Sequence, residues 1–350
     1  MQKTTKFLVA AVIVVIVATL TLNSKTNNTE AIKIGVISDF TGPAAYWGES
    51  TKVGINLAVK ELQEEGHNVE IVYEDYKLDA PQAATAAQKL SNIDKISAIY
   101  SEFNPGAIAA NSVLKDKNIL HMYLAAITSP LEDNPNAYKT YLDYQAGCKL
   151  LAQEFKNGGV AKIGMLKVNQ EFGELCLKGV QEIYGNEIVI DSYNLGDTNF
   201  KTQLLKINAG KVEAVINVGF EGDTFNTLKV MSDLGYTFRL GTVEDTMSEK
   251  VRSTFPNQIK SALTFGFQEV DPEFIEKITV ENGGKPLASN YGAAEAYTHI
   301  KQIVAALDAC DKDDMECIKK HIDASAPDTT FGFKKFNNHI ADIGMQIYKY

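Results

Sequence analysis

The reactive side chains of this chain do not gather into a recognisable reaction centre. Its five histidines, His67, His121, His299, His321 and His339, are widely scattered, and no HExxH pair sets two of them on one helix face. No GxSxG elbow, P-loop or GxGxxG turn follows an apolar, strand-like run. Glu221 and Asp223 stand two apart in a loop sequence, where such pairs are solvated or cap a helix. The informative stretch is Ile34–Glu49, IGVISDFTGPAAYWGE, which carries the chain's single tryptophan, Trp47. It reads as a buried strand, a Gly-Pro turn and a helix start. Such a unit sets loop backbone and an aromatic at the carboxyl edge of a parallel sheet, where α/β proteins hold small ligands. The chemistry indicated is reversible binding, with no catalytic residue, metal or cofactor called for.

At 350 residues, 45% hydrophobic and 22% charged, the chain has an ordinary globular composition and length enough for two lobes. Its formal net charge of −10 argues against a nucleic-acid partner, because phosphate binding needs a basic face. Lys3 and Lys6 precede an unbroken apolar run, Phe7–Leu22, which is the export-signal pattern. The run is slightly long for a cleaved signal and slightly short for a comfortable spanning helix. Residues 1–30 therefore read as a signal peptide or an N-terminal membrane anchor with a polar spacer. In an exported chain, Cys310 and Cys317 flank the acidic turn DKDDME and are expected to form a disulfide. Cys148 and Cys176 lie on apolar helical faces and are expected as buried free thiols.

Strand-like and helix-like patterns alternate along the body. Strands are expected at 32–38, 69–75, 96–100, 119–124, 162–167, 188–193, 212–218 and 261–267. Between them run helical periodicities. Ile55, Ala58, Val59 and Leu62 end at Gly66, and Asp79 with Pro81 forms a cap and first-turn pair. Repeated strand–helix units imply doubly wound parallel sheets. IKIGVISDFTGP and AKIGMLKVNQEFG read as the first strands of two of them. Crossings between lobes are expected near 141–147 and 266–271, and the tail as two short strands around an Asn-Asn turn. The division expected is 31–144 plus 270–328 for the first lobe and 145–269 plus 329–350 for the second. A hinge of several strands suits closure around a ligand.

These pieces together resemble the type I periplasmic binding proteins, in particular the branched-chain (Leu/Ile/Val) amino-acid receptors of ABC importers. The resemblance rests on IKIGVISDFTGPAAYWGESTKVGINLAV, VEIVYEDYKLDAPQAATAAQKL, LAAITSPLEDNPNAYKT, AKIGMLKVNQEFGELCLKG and FGFKKFNNHIADIGMQIYKY, in that order. It implies two Rossmann-like lobes joined by a multi-strand hinge, with the ligand held between them. Carried over residue by residue, it implies ligand contacts from Ala126 (carbonyl) and Thr128 (hydroxyl and amide). Asn104 and Pro105 stand where the family has a serine-type carboxylate grip, and a proline offers no N–H. Trp47, Phe172 and Phe220 match aromatics of the side-chain pocket, and Tyr291 is a further, weaker match that reads better as helix packing. Glu244 falls near the acidic residue that pairs with a ligand ammonium, with Asp245 beside it as the alternative.

The function expected is that of an extracytoplasmic solute receptor, periplasmic or cell-surface. It would be monomeric, bind an amino acid in the cleft and present the closed form to a membrane permease. The altered 104–105 loop leaves a branched-chain amino acid, another amino acid, an amide and a short carboxylate all open. A membrane-anchored sensor built on the same lobes is the alternative. A zwitterion taken out of water needs fixed donors for one end and acceptors for the other, which these residue types supply.

Overall fold

The computed structural model describes residues 31–350; the expected signal or anchor, residues 1–30 with Phe7–Leu22, lies outside the described residues. Among the described residues, no helix is long and apolar enough to cross a membrane.

The first lobe is built on β1 (Ile32–Ser38), β2 (Val69–Asp75), β3 (Ala98–Glu102), β4 (Leu120–Leu124) and β5 (Ala137–Lys139). They pair in parallel in the order β2-β1-β3-β4-β5. β3 and β4 are buried along their whole length, as expected where helices cover both faces. The intervening helices are α1 (Ala45–Glu64), α2 (Ala80–Lys89), α3 (Asn104–Leu114) and α4 (Pro130–Asp133). Asp79 caps α2 by accepting from the Gln82 amide, with Pro81 in its first turn.

The second lobe repeats the scheme. Strands β6 (Ile163–Val168), β7 (Ile188–Tyr193), β8 (Ala214–Val218), β9 (Arg239–Val243) and β10 (Leu263–Phe267) pair in parallel in the order β7-β6-β8-β9-β10. Between and before them lie α5 (Tyr144–Asn157), α6 (Glu171–Tyr184), α7 (Lys201–Ala209), α8 (Glu221–Leu234) and α9 (Glu249–Thr254). Helices α10 (Pro272–Glu281), α11 (Asn290–Ala309) and α12 (Met315–Asp323) follow, and α11 packs back along α1 of the first lobe. The chain ends in β11 (Phe333–Asn337), β12 (Ile340–Ile343) and β13 (Met345–Lys349).

Two expectations are corrected here. The tail holds three strands, not two. β11 and β12 form a hairpin whose turn residues Asn338 and His339 both have positive φ, as a two-residue primed turn requires. That hairpin adds to β5 of the first sheet, whereas β13 pairs antiparallel with β10 of the second. The tail is therefore divided at Gly344 and not given whole to the second lobe. Cys148 and Cys176 are not free thiols: they are bonded to one another between α5 and α6, with Cα atoms 5.1 Å apart. Two cysteines on separate apolar helical faces look inert in sequence; only the packing of those faces against each other pairs them. A second disulfide joins Cys310 and Cys317.

Both sheets reverse direction of growth once, between β1 and β3 in one lobe and between β6 and β8 in the other. In open α/β sheets the loops at the carboxyl ends of strands flanking such a reversal form the binding crevice. The segments after β1, β3, β6 and β8 are accordingly the ones to follow.

Candidate functional site

After β1 the chain turns through Asp39, whose buried carboxylate accepts the amides of Gly42 and Ala44 and fixes the Gly42-Pro43 bend. This sets the start of α1 against the sheet so closely that a Cβ on Gly48 would lie 2.1 Å from the Asp39 carbonyl oxygen. Trp47 is thereby held at the strand ends, 7% exposed, with its indole against Gly292 of α11. Its Nε1 donates to Oε1 of Glu102 at 3.3 Å.

Glu102 is the last residue of β3 and is fully buried. Ser38 donates to it by a short bond, Thr51 at 2.7 Å and Tyr100 at 3.5 Å. Burial outweighs these donors and pushes its carboxyl up to about 7. Tyr100 also donates a short bond to Glu295 of α11, a second buried carboxyl raised by desolvation. His299 stands one turn further along α11, and burial lowers it to about 4. A buried polar chain thus runs from the strand edge into the first lobe.

The next residue, Phe103, has φ +63° and ψ 157°, a backbone region that side chains strongly disfavour. Its amide donates to Leu124 O and its carbonyl accepts from Ala107 N, which hold it there. Such strain costs about 1–3 kcal/mol and concentrates at functional edges. The geometry turns the Phe103 ring onto Trp47, with centroids 6.4 Å apart. Asn104 then opens α3, and its Oδ1 accepts the Ala126 amide from the loop after β4. Pro105, in the first turn of α3, is exposed. Asn104 and Ala126 are thereby tied into one edge.

From that same edge, Thr128 reaches the second lobe. Its amide donates to Oε1 of Glu171 at 2.6 Å, its hydroxyl at 3.3 Å, and the Ser129 amide at 3.0 Å. Glu171 is the first residue of α6, directly after β6. Its neighbour Phe172 is 3% exposed and packs edge-on against Phe220, which follows β8 and is 53% exposed. Phe172 also meets the Tyr144 ring.

Glu244 follows β9. Tyr141 donates to one carboxylate oxygen at 2.7 Å and Tyr144 to the other by a short bond. The Asp245 side chain lies outside the described residues. Tyr141 packs on Phe267, which stacks on Tyr291 with ring centroids 3.5 Å apart; Tyr291 in turn tilts against Trp47. The Tyr291 hydroxyl, though buried, has no hydrogen-bond partner among the described residues. Contacts therefore run without a break from Phe103 and Trp47 through Tyr291, Phe267 and Tyr141 to Glu244, and on through Tyr144 to Phe172 and Phe220.

Behind this chain lies Lys139, fully buried, with Nζ donating to the Leu142 carbonyl at 2.8 Å. Burial lowers it to about 8, against the pull of Asp143, Glu171 and Glu244.

All the sequence candidates, Trp47, Asn104, Pro105, Ala126, Thr128, Phe172, Phe220 and Glu244, thus follow the carboxyl end of a strand. Tyr291 is both helix packing and a member of the aromatic chain. Sequence reasoning passed over Glu102, Phe103, Tyr141, Tyr144, Phe267 and Glu171. A carboxylate ending the apolar run IYSE was a visible signal for Glu102, and Glu171 adjoins Phe172. The positive φ of Phe103 had no signal at all. The arrangement sets carboxylates and aromatic rings at the strand ends of both sheets, a set suited to holding a small molecule.

The whole described chain, residues 31–350, matches the family model of the periplasmic binding proteins. A Leu/Ile/Val-binding protein homologue of Brucella abortus (strain 2308) is 24% identical over 303 residues, covering 81% of this chain and 80% of that protein. Among solved structures, a type 1 periplasmic binding protein from Bordetella pertussis superposes with a TM-score of 0.77 at 16% identity, covering 92% of this chain and 97% of that one. The substrate-binding protein LivJ from Streptococcus pneumoniae, in complex with isoleucine, gives 0.70 at 18%, covering 92% and 100%. A solute-binding protein from R. palustris, in complex with 4-hydroxybenzoate, gives 0.76 at 20%, covering 91% and 93%. The chain belongs to the periplasmic binding protein family, as an extracytoplasmic ligand-binding protein of the ABC-transporter type and not an enzyme.

Proposed function

We propose that the chain is the receptor of an ABC importer for an amino acid, branched-chain or related, or a close derivative of one, bound between the lobes. The observation that carries this is the unbroken run of contacts from Trp47 to Phe220 through Glu244, assembled from the strand ends of both sheets. In this reading Glu244, held by two tyrosine hydroxyls, receives the ligand's ammonium group. Trp47, Phe172 and Phe220 wall its apolar body, and Asn104, Pro105, Ala126 and Thr128 form the first-lobe rim. Isoleucine in LivJ and 4-hydroxybenzoate in the R. palustris protein are both small solutes with an apolar body and a polar end, which supports that size class.

The mechanism needs no bond chemistry. A ligand touching both lobes has more contacts in the closed form, and that differential affinity shifts the population towards closure. The closed protein then docks, as a monomer, on its permease. Thermal denaturation of the purified protein against amino acids, their amides and small acids tests the reading. A true ligand raises the midpoint with dose; a flat response across the series would count against it.

A further inference from the structure

Three first-lobe donors, the Thr128 amide, the Thr128 hydroxyl and the Ser129 amide, converge on a single oxygen. Convergent backbone and hydroxyl donors of this kind form a seat for an anion. Here the seat is filled by the chain itself, through Glu171 of the opposite lobe. We propose that Glu171 is a specificity residue: by occupying the anion seat with its own carboxylate, it makes the site favour the amide and amine derivatives within that ligand class over the free amino acids. The proposal rests on the receptor reading above and narrows its ligand class.

The rest of the site agrees. A ligand carboxylate brought to Thr128 would meet the Glu171 carboxylate, and like charges repel. The nearby lysines are engaged: Lys139 donates to Leu142 O, and Lys167, at the end of β6, is paired with Glu174. The aromatic faces of Trp47, Phe172 and Tyr291 favour a cationic or neutral body over an anion. Tyr291 adds an independent sign of a missing partner. Its hydroxyl is buried and unpartnered among the described residues, and it lies close enough to feel the charge of Glu244. Such an atom is costly to leave unmade, and a ligand N–H or carbonyl beside Glu244 would satisfy it.

Leucine and leucinamide test this directly, since they share a side chain and an ammonium and differ in the carboxylate. By calorimetric titration, the wild-type protein should bind leucinamide at least tenfold more tightly than leucine. Glu171→Ala should raise leucine affinity at least tenfold and bring the ratio near one, while Glu171→Gln, which keeps the size of the side chain, controls for folding. A second arm uses acetate, which needs no fit to the aromatic walls. In ¹⁵N spectra, acetate should shift the Thr128 and Ser129 amides in Glu171→Ala and leave them in the wild type. Wild-type protein that binds leucine as tightly as leucinamide would overturn the inference while upholding the receptor reading. Absence of binding by both compounds to both proteins would overturn the ligand class. Acetate shifts equal in the two proteins, or absent from both, would overturn the assignment of the seat.

Discussion

The two lobes share one order of parallel strands, yet they support the strand edge proposed to hold the ligand by opposite means. In the first, the edge is backed by buried polar groups: Glu102 with its four side-chain donors, Tyr100, Glu295 and His299. In the second, the edge is backed by rings, with Phe172 between Tyr144 and Phe220, and by a disulfide that clamps α5 to α6. Rings pack wherever shape allows, so the second lobe can adapt its wall at small cost. The hydrogen bonds that converge on the buried Glu102 and join Tyr100 to Glu295 are directional, so the first lobe is bound to one geometry. The Phe103 strain sits on that rigid side. The comparison assigns a fixed reference surface to the first lobe and the adjustable wall to the second.

The largest effect expected is on the second lobe's clamp. Replacing Cys148 and Cys176 together by alanine should cost about 3–4 kcal/mol, from the chain freedom returned to the unfolded state over 28 residues. The single tryptophan lies in the first lobe, so its emission reports that lobe, whereas circular dichroism reports both. The double variant should lower the dichroism midpoint more than the Trp47 midpoint. Equal shifts would mean the lobes do not differ in this way.

Next in size is the titration of Glu102. Its folded carboxyl is raised from 4.5 to about 7, so its favourable contribution is complete below about pH 4.5 and is lost as pH rises through 7. His121 and His299, lowered by burial to about 3 and about 4, act in the opposite sense and lose their contribution as pH falls below 6.5. Glu102→Gln isolates the first from the second. Relative to wild type, the variant should gain on the order of 2–3 kcal/mol between pH 4.5 and 7.5, measured as the difference in urea unfolding free energy. A difference that stays flat with pH would remove the buried carboxyl from the account.

The smallest stability effect belongs to Phe220. Being half exposed, Phe220→Ala should cost under about 1 kcal/mol in folding, yet weaken ligand binding about tenfold if the ring is part of the adjustable wall. Loss of stability without loss of affinity would make it a packing residue only.

Much of this organisation was legible in sequence for a physical reason. Strands such as 32–38, inside its sheet, and 188–193, at an edge, are apolar-rich runs bounded by turns, and their limits match the sequence expectation. β5 and β9 were passed over because one has three residues and the other begins with Arg239. The proposed rim residues were legible as a group because they all follow strand ends. Glu171 could not be assigned its contacts, since bonds from Thr128 to the opposite lobe span 43 residues and depend on how the lobes close. The Cys148–Cys176 bond was hidden likewise, because it depends on the packing of two helices.

The central claim is that one small solute is held between Trp47 on one lobe and Phe172 and Glu244 on the other. Native mass spectrometry of the protein purified from its own cells tests it most directly. The account predicts one small molecule bound per chain, retained by the wild type and lost from a Glu244→Gln, Phe172→Ala variant that still folds. A solute retained undiminished by that variant would contradict it.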